Sequence, residues 1–164
     1  MRVGIVGATG QAGGAMVTVL EERKFPLDEL HLFASSRSAG ATIAFRDERC
    51  VVRDVATEGF AGFDLVLLSQ VTHAFGPGEN RDLLRRCYRA LVPSGRIVIH
   101  DFILEEDKTA PKWAALFSLN MLVGTERGAS YSESEYAAWL RETGFQDVSR
   151  VRLPGLSGLI VGRA

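Results

Sequence analysis

With 164 residues, 46% hydrophobic and 24% charged, the chain is long enough to bury one sizeable core and too short for two independent domains; its composition excludes disorder, collagen-like repeats and a disulfide scaffold. A formal net charge of -1 offers no field to nucleic acid or anionic lipid, so neither is expected as a partner. No apolar run approaches the roughly 20 residues that span a bilayer, no targeting segment precedes the first strand pattern, and the expected compartment is the cytoplasm.

The apolar run Val3 to Val6 predicts a buried first strand, and "GATGQAGG" (Gly7 to Gly14) follows it directly. Met16, Val17 and Leu20 then recur at helical spacing, giving the order strand, glycine turn, helix N-terminus. That order suits a dinucleotide pyrophosphate, because glycines let the backbone approach the anion and a helix N-terminus offers unpaired N–H groups. Glu29 to Ala34 predicts a second strand. Between it and the strand at Leu65 to Ser69 no amphipathic helix is legible. Two short strand patterns, Thr42 to Phe45 and Cys50 to Asp54, stand there instead, so one sheet face is expected to be thinly covered.

Leu83, Leu84, Cys87 and Leu91 mark the second helix, and Arg96 to Asp101 the next strand. Trp113, Leu116, Phe117 and Met121 mark a third helix with Pro111 in its first turn. Tyr136, Trp139 and Leu140 mark a fourth, with Ser132 and Glu135 at capping-box spacing and Gly144 as a left-handed stop. The last strands, Asp147 to Leu153 and Leu159 to Gly162, are joined only by "PGLSG". That link is too short for a helical crossover, so they form an antiparallel hairpin. The whole predicts a single Rossmann-like α/β domain over residues 1–164: a three-layer α/β/α sandwich with a mostly parallel, doubly wound sheet and an antiparallel C-terminal hairpin.

Cys50 and Cys87 are far apart and lack CxxC spacing, so no zinc or redox site is built from them and no metal is expected. Cys87 lies on the apolar helix face and is read as core. Cys50 has no histidine nearby to activate it and is not read as a nucleophile. His31, inside "ELHLFA", and His100 are read as structural; alternation along a strand points His100 away from the side of Asp101.

The first sixty-odd residues closely resemble the N-terminal cofactor-binding region of aspartate-semialdehyde dehydrogenases, through "VGIVGATGQAGG", "LEERKFPLDELHLFASSRSAG" and "VVRDVATEGFAGFDLVLLS". The resemblance implies NADP as cofactor, with Gly7, Thr9, Gly10, Gln11 and Gly13 about the pyrophosphate. Ser35, Ser36, Arg37 and Ser38 would lie near the adenosine 2'-phosphate, where a guanidinium can grip a phosphate bidentately. Nothing after Ser69 resembles the dehydrogenase, whose nucleophilic cysteine and substrate domain belong downstream, so its hydride chemistry on an acyl phosphate is not expected.

From about Phe63 onward the chain resembles the C-terminal half of a class I SAM-dependent O-methyltransferase domain, through "LVPSGRIVIHDF", "WLRETGFQDV" and the hairpin end. The resemblance implies that His73, in "VTHAFGPGEN", is the base that deprotonates a substrate hydroxyl, and that Asp101, in "VIHDF", orients it, both as vestigial catalytic residues. Taken alone, each could equally be a solvated polar group at a strand's edge. The family's own first strand with its acidic glycine-rich turn, and the acidic residue that takes the donor's ribose, are absent; "GATGQAGG" and "SSRS" stand in their places.

The sequence therefore reads as a chimera, engineered in preference to naturally recombined, with a dehydrogenase-like half at 1–65 and a methyltransferase-like half at 66–164 that share "FDLVLLS". It is expected to lack catalytic activity and to retain weak NADP or adenine-nucleotide binding, with SAM the less favoured cofactor and none required for folding. Two alternatives stand beside it: a SAM-dependent O-methyltransferase with an altered donor site, and an NADP-sensing binding protein. Trp113, Phe117 and Met121 are expected in the core rather than at a cofactor, with surplus apolar surface around them able to drive self-association.

Overall fold

The computed structural model describes residues 1–57 and 61–164; Glu58, Gly59 and Phe60, part of one of the quoted motifs, lie outside the described residues. The elements in chain order are β1 (Arg2–Val6), α1 (Gln11–Glu22), β2 (Glu29–Ala34), β3 (Thr42–Phe45), β4 (Glu48–Asp54), β5 (Phe63–Ser69), α2 (Pro77–Ala90), β6 (Leu91–Asp101), α3 (Lys112–Gly124), α4 (Glu133–Thr143), β7 (Gln146–Arg152) and β8 (Gly158–Arg163). The strands form one eight-stranded sheet in the order β3-β4-β2-β1-β5-β6-β8-β7. From β4 to β6 the pairs are parallel. β3 runs antiparallel to β4, and β8 antiparallel to β6 and β7. This is the mixed α/β fold that the strand and helix patterns predict, closed by the antiparallel hairpin that the short "PGLSG" link requires.

Alternation along the strands divides the core into two layers. Val3, Ile5, Leu32 and Val52 face α1 and pack with Val17. Val6, Phe33, Val66, Leu68, Ile97 and Ile99 face the other way, onto Leu84 and Cys87 of α2 and Tyr136, Trp139 and Leu140 of α4. The second layer is the larger because two helices cover it. On the first side a shallow apolar groove stays open between α1 and the sheet, lined by Met16, Val19, Leu20 and Leu67. The chain spends the segment between β2 and β5 on the β3–β4 hairpin rather than on a covering helix.

The boundaries of α4 follow their signals. Ser132 Oγ accepts the Glu135 N–H at 3.4 Å, Glu135 Oε2 accepts the Ser132 N–H at 2.7 Å, and Gly144 takes φ 115°. Two expectations need correction. Leu91 does not extend α2 but opens β6, five residues earlier than predicted, by pairing with Phe63 before the register shifts to Leu65 opposite Arg96. Helical spacing marked its side chain as buried, which it is, but burial does not distinguish a helix end from a strand start. The core assignment of α3 also fails. Ala114 alone on that helix is buried, while Trp113, Leu116, Leu119, Leu122 and Val123 are exposed. Apolar residues lie all round α3, so their spacing gave no sign of which side would pack.

The two thiols differ in environment. Full burial pushes the Cys87 thiol up to about 12, whereas Cys50 on β4 is half-buried and raised more modestly by desolvation beside Glu48. In the folded protein at pH 8, a thiol-specific disulfide reagent should modify Cys50 and leave Cys87 intact. Unfolding in denaturant should release the second equivalent.

Candidate functional site

The strand order reverses between β1 and β5, and the loops that leave the C-terminal ends of these two strands meet there, where open α/β sheets bind ligands. Gly7 makes that meeting sterically feasible. Its φ is 87°, and a Cβ on it would lie 2.5 Å from Val71 Cγ2 and 2.8 Å from the Ser69 carbonyl oxygen. The loop is anchored from behind, since the N–H groups of Gly7 and Ala8 donate to the Phe33 carbonyl at 2.9 and 3.1 Å. Helix α1 sits directly on it. A Cβ at Gly13 would come 2.1 Å from the Gly7 carbonyl oxygen, so Gly13 serves close packing and does not line a cleft. At the start of α1, Gly10 provides no side-chain cap and the first turn holds no acidic residue. The N–H groups of that turn are left for another acceptor.

Two clefts open from this point. The first, about 610 Å³, is lined by Gly7, Thr9 and Gly10 after β1, Ser35 and Arg37 after β2, Val55 and Ala56 after β4, Val71 and Phe75 after β5, and Glu79, Asp82, Leu83 and Arg86 of α2. Glu79 is engaged by the Gly76 N–H at 2.8 Å, and Arg86 donates to the Val55 carbonyl. Ser36 and Ser38 flank Arg37 on a short turn at 36–38 but are not among the residues that line the cleft. The second, about 690 Å³, is lined by Gln11, His73, His100, Phe102, Phe117, Met121 and Ser157 among others. Gly10 and Gln70 line both, so the two clefts adjoin.

His73 lies on a short turn at 72–74 directly after β5, and Asp101 ends β6. The fold brings them together: His73 Nδ1 lies 2.8 Å from Asp101 Oδ1. Asp101 is wholly buried and also accepts the Thr72 hydroxyl at 2.6 Å, the His73 N–H at 3.2 Å and the Phe102 N–H at 2.9 Å. Tyr136, from α4, reaches Thr72 at 2.7 Å. Asn80 Nδ2 donates to the carbonyls of Thr72 and Phe75 at 3.0 and 3.1 Å, and the Tyr131 hydroxyl donates to Phe75 at 2.6 Å. Sequence reasoning found His73 and Asp101 but missed Thr72, Asn80 and Tyr136. A signal for Asn80 existed, as a polar residue one turn before Leu83 and Leu84 on the apolar face of α2.

The remaining histidines bind within the fold. His100 Nδ1 pairs with Ser69 Oγ at 3.2 Å and Nε2 with Ser157 Oγ at 2.8 Å, tying the hairpin link to the end of β5. Burial lowers its pKa, against the opposing charge of Asp101. His31 contacts Glu29 at 3.0 Å and stands edge-on to Phe63. Among the described residues no cluster of three His, Cys, Asp or Glu side chains is placed to hold a metal ion, and no helix is long and apolar enough to cross a membrane.

The fold is an α/β architecture like that of Rossmann-type methyltransferases. Over 99% of its length the chain matches the solved structure of PigF with SAH at a TM-score of 0.81 and 27% identity, covering 50% of that chain. Residues 2–78 match the family described as semialdehyde dehydrogenase, NAD binding domain. An aspartate-semialdehyde dehydrogenase from Streptomyces akiyoshiensis is 54% identical over 69 residues, 42% of this chain and 19% of that protein. A 3-hydroxy-5-methyl-1-naphthoate 3-O-methyltransferase from Streptomyces sahachiroi is 35% identical over 161 residues, 92% of this chain and 46% of that protein. The chain thus spans less than half the length of these curated relatives. It is a chimera in sequence: a dehydrogenase-like N-terminal region within a chain that matches O-methyltransferases as a whole. The two likenesses overlap, the first running through residue 78, past the expected join and over His73.

Because a Cβ at Gly13 would run into the Gly7–Ala8 backbone, Gly13→Ala should lower stability by about 3 kcal/mol, measured by urea unfolding. It should also shift the amide resonances of Gly7 to Gly10, whereas Gly14→Ala, with open space around its Cβ position, should leave them in place.

Proposed function

We propose that the chain is an engineered or recombined cytoplasmic domain that binds 2'-phosphorylated adenine nucleotides, NADP among them, without catalysing hydride transfer. The observation that carries this reading is the joint placement of Ser35 and Arg37 with the Gly7–Gly10 loop on one wall of one cleft. The residues present fit such a ligand. An uncapped helix start beside glycines suits a pyrophosphate, a guanidinium suits the 2'-phosphate, and the apolar stretch formed by Val55, Val71 and Leu83 suits an adenine ring. Bound NADP would supply hydride chemistry. Within the second cleft this chain places His73 and aromatic side chains, and Cys50, on β4, lines neither cleft. A sensor of NADP level would use the same contacts.

A second reading is favoured by one observation, the 2.8 Å contact between His73 and Asp101 at a cleft that adjoins the first. In that reading the chain is a SAM-dependent O-methyltransferase with an altered donor site, and an imidazole held by a carboxylate takes the proton of an acceptor hydroxyl. Its cost is electrostatic. Arg37 stands on the wall where the ribose hydroxyls of the donor would seek a carboxylate, and a cation there repels the donor's sulfonium charge.

Calorimetric titration separates the readings. NADP and adenosine 2',5'-bisphosphate should bind with similar affinity, both more tightly than NAD, and Arg37→Ala should weaken NADP about tenfold or more while leaving NAD unchanged. SAM binding that survives or improves in Arg37→Ala, with no preference for NADP, would replace the first reading with the second. The exposed row of Trp113, Leu116, Leu119 and Leu122 on α3 supports self-association as a further part of the proposal. Sedimentation should show a dimer that Leu119→Lys dissociates.

A further inference from the structure

We infer that Thr72 and Tyr136 are positioning residues for His73, joined to it in a buried relay through Asp101 that protonates Nδ1 and leaves Nε2 as the proton-accepting atom at the cleft. The relay deepens the second reading, because a general base needs a fixed lone pair, but its geometry depends on no bound cofactor.

The direction of every hydrogen bond follows from the donor inventory. The Asp101 carboxylate only accepts. Its Oδ1 takes the Phe102 N–H and His73 Nδ1, and its Oδ2 takes the His73 N–H and the Thr72 hydroxyl. With two partners on each oxygen, the plane of the carboxylate is fixed. The Thr72 hydroxyl has a single proton, which Asp101 claims at 2.6 Å, so the Tyr136 hydroxyl at 2.7 Å must be the donor to Thr72 Oγ1. Tyr136 is fully buried and burial holds its phenol well above the usual value, so that proton is retained. At the other end Oδ1 demands a proton on Nδ1. A neutral imidazole then carries its lone pair on Nε2, which has no hydrogen-bond partner among the described residues, while Phe117 stands edge-on to the ring with centroids 4.9 Å apart.

The backbone of the turn is held by other groups. Asn80 and Tyr131 fix the Thr72 and Phe75 carbonyls, and the His73 N–H bonds Asp101 directly. Loss of the Thr72 hydroxyl therefore leaves the turn in place, and removes both its hold on Oδ2 and the acceptor of the Tyr136 hydroxyl. A threonine directly before the histidine and a tyrosine on a distant helix thus act on the ring without touching it, and buried hydrogen-bond chains of this kind polarise one another.

The test is the imidazole 15N spectrum of the full, ligand-free chain, recorded on wild type, Thr72→Val, Thr72→Ser and Tyr136→Phe. Wild-type His73 should be the Nδ1-protonated tautomer with a slowly exchanging Nδ1 proton. Thr72→Val should mix the tautomers and speed that exchange about tenfold, the change expected for loss of one charge-assisted hydrogen bond; Thr72→Ser should restore the wild-type pattern, and Tyr136→Phe should shift it in the same direction as Thr72→Val. An Nε2-protonated wild type, an unchanged His73 in folded Thr72→Val, or an equal change in Thr72→Ser overturns the relay. Should Thr72→Val not fold, Tyr136→Phe decides, and an unaltered His73 there overturns it. No nucleotide enters the measurement, so failure of NADP binding and failure of the relay are read separately.

Discussion

The pairing of β1 with β5, Val3 opposite Leu65 through Val6 opposite Leu68, is the constraint on which everything else rests. It places β1 beside β5 at the centre of one sheet, both within the residues 2–78 that carry the dehydrogenase likeness, and it fixes how closely the loops after the two strands approach. That approach tolerates no side chain at Gly7, because the Ser69 carbonyl and Val71 occupy the space where a Cβ would be. One strand pair and one missing methyl group therefore set how the first cleft is closed at its base. A buried parallel pair of this kind accepts apolar residues from either lineage, since its requirement is two covered faces rather than particular side chains.

The two adjoining clefts differ in chemistry. Ser35 and Arg37 give the first a polar and cationic side. The wall from α2 carries Glu79 and Asp82. Beyond Gly10 and Gln70 the cleft turns aromatic and ends at His73. Backbone approach, an uncapped helix N-terminus and strand order are features of the architecture, whereas Ser35 and Arg37 are side chains that the same architecture does not require.

The packing is correspondingly uneven. Two helices seal the face that carries Tyr136, Trp139 and Phe33, and the polar network under His73 is fully enclosed there. The other face has α1 and an open groove, and α3 leaves most of its apolar side chains in solvent. That exposed surface lies on the same helix as Phe117 and Met121, which line the second cleft.

The sequence by itself determined the strand and helix order, the hairpin forced by a five-residue link, the capping of α4 and the glycine turn between β1 and α1, because each depends on local periodicity, backbone freedom or chain length. It also singled out His73, Asp101 and Arg37 through resemblance. Only the tertiary structure decided that Gly13 packs under the loop instead of lining a cleft, that Ser36 and Ser38 stay off its wall, that α3 is not core, and that Thr72, Asn80 and Tyr136 hold the histidine. Those outcomes depend on contacts between residues up to 64 positions apart, as between Thr72 and Tyr136. A pattern along the chain records which side of its own element a residue occupies; what stands opposite is fixed by the sheet order that brings β5, β6 and α4 together.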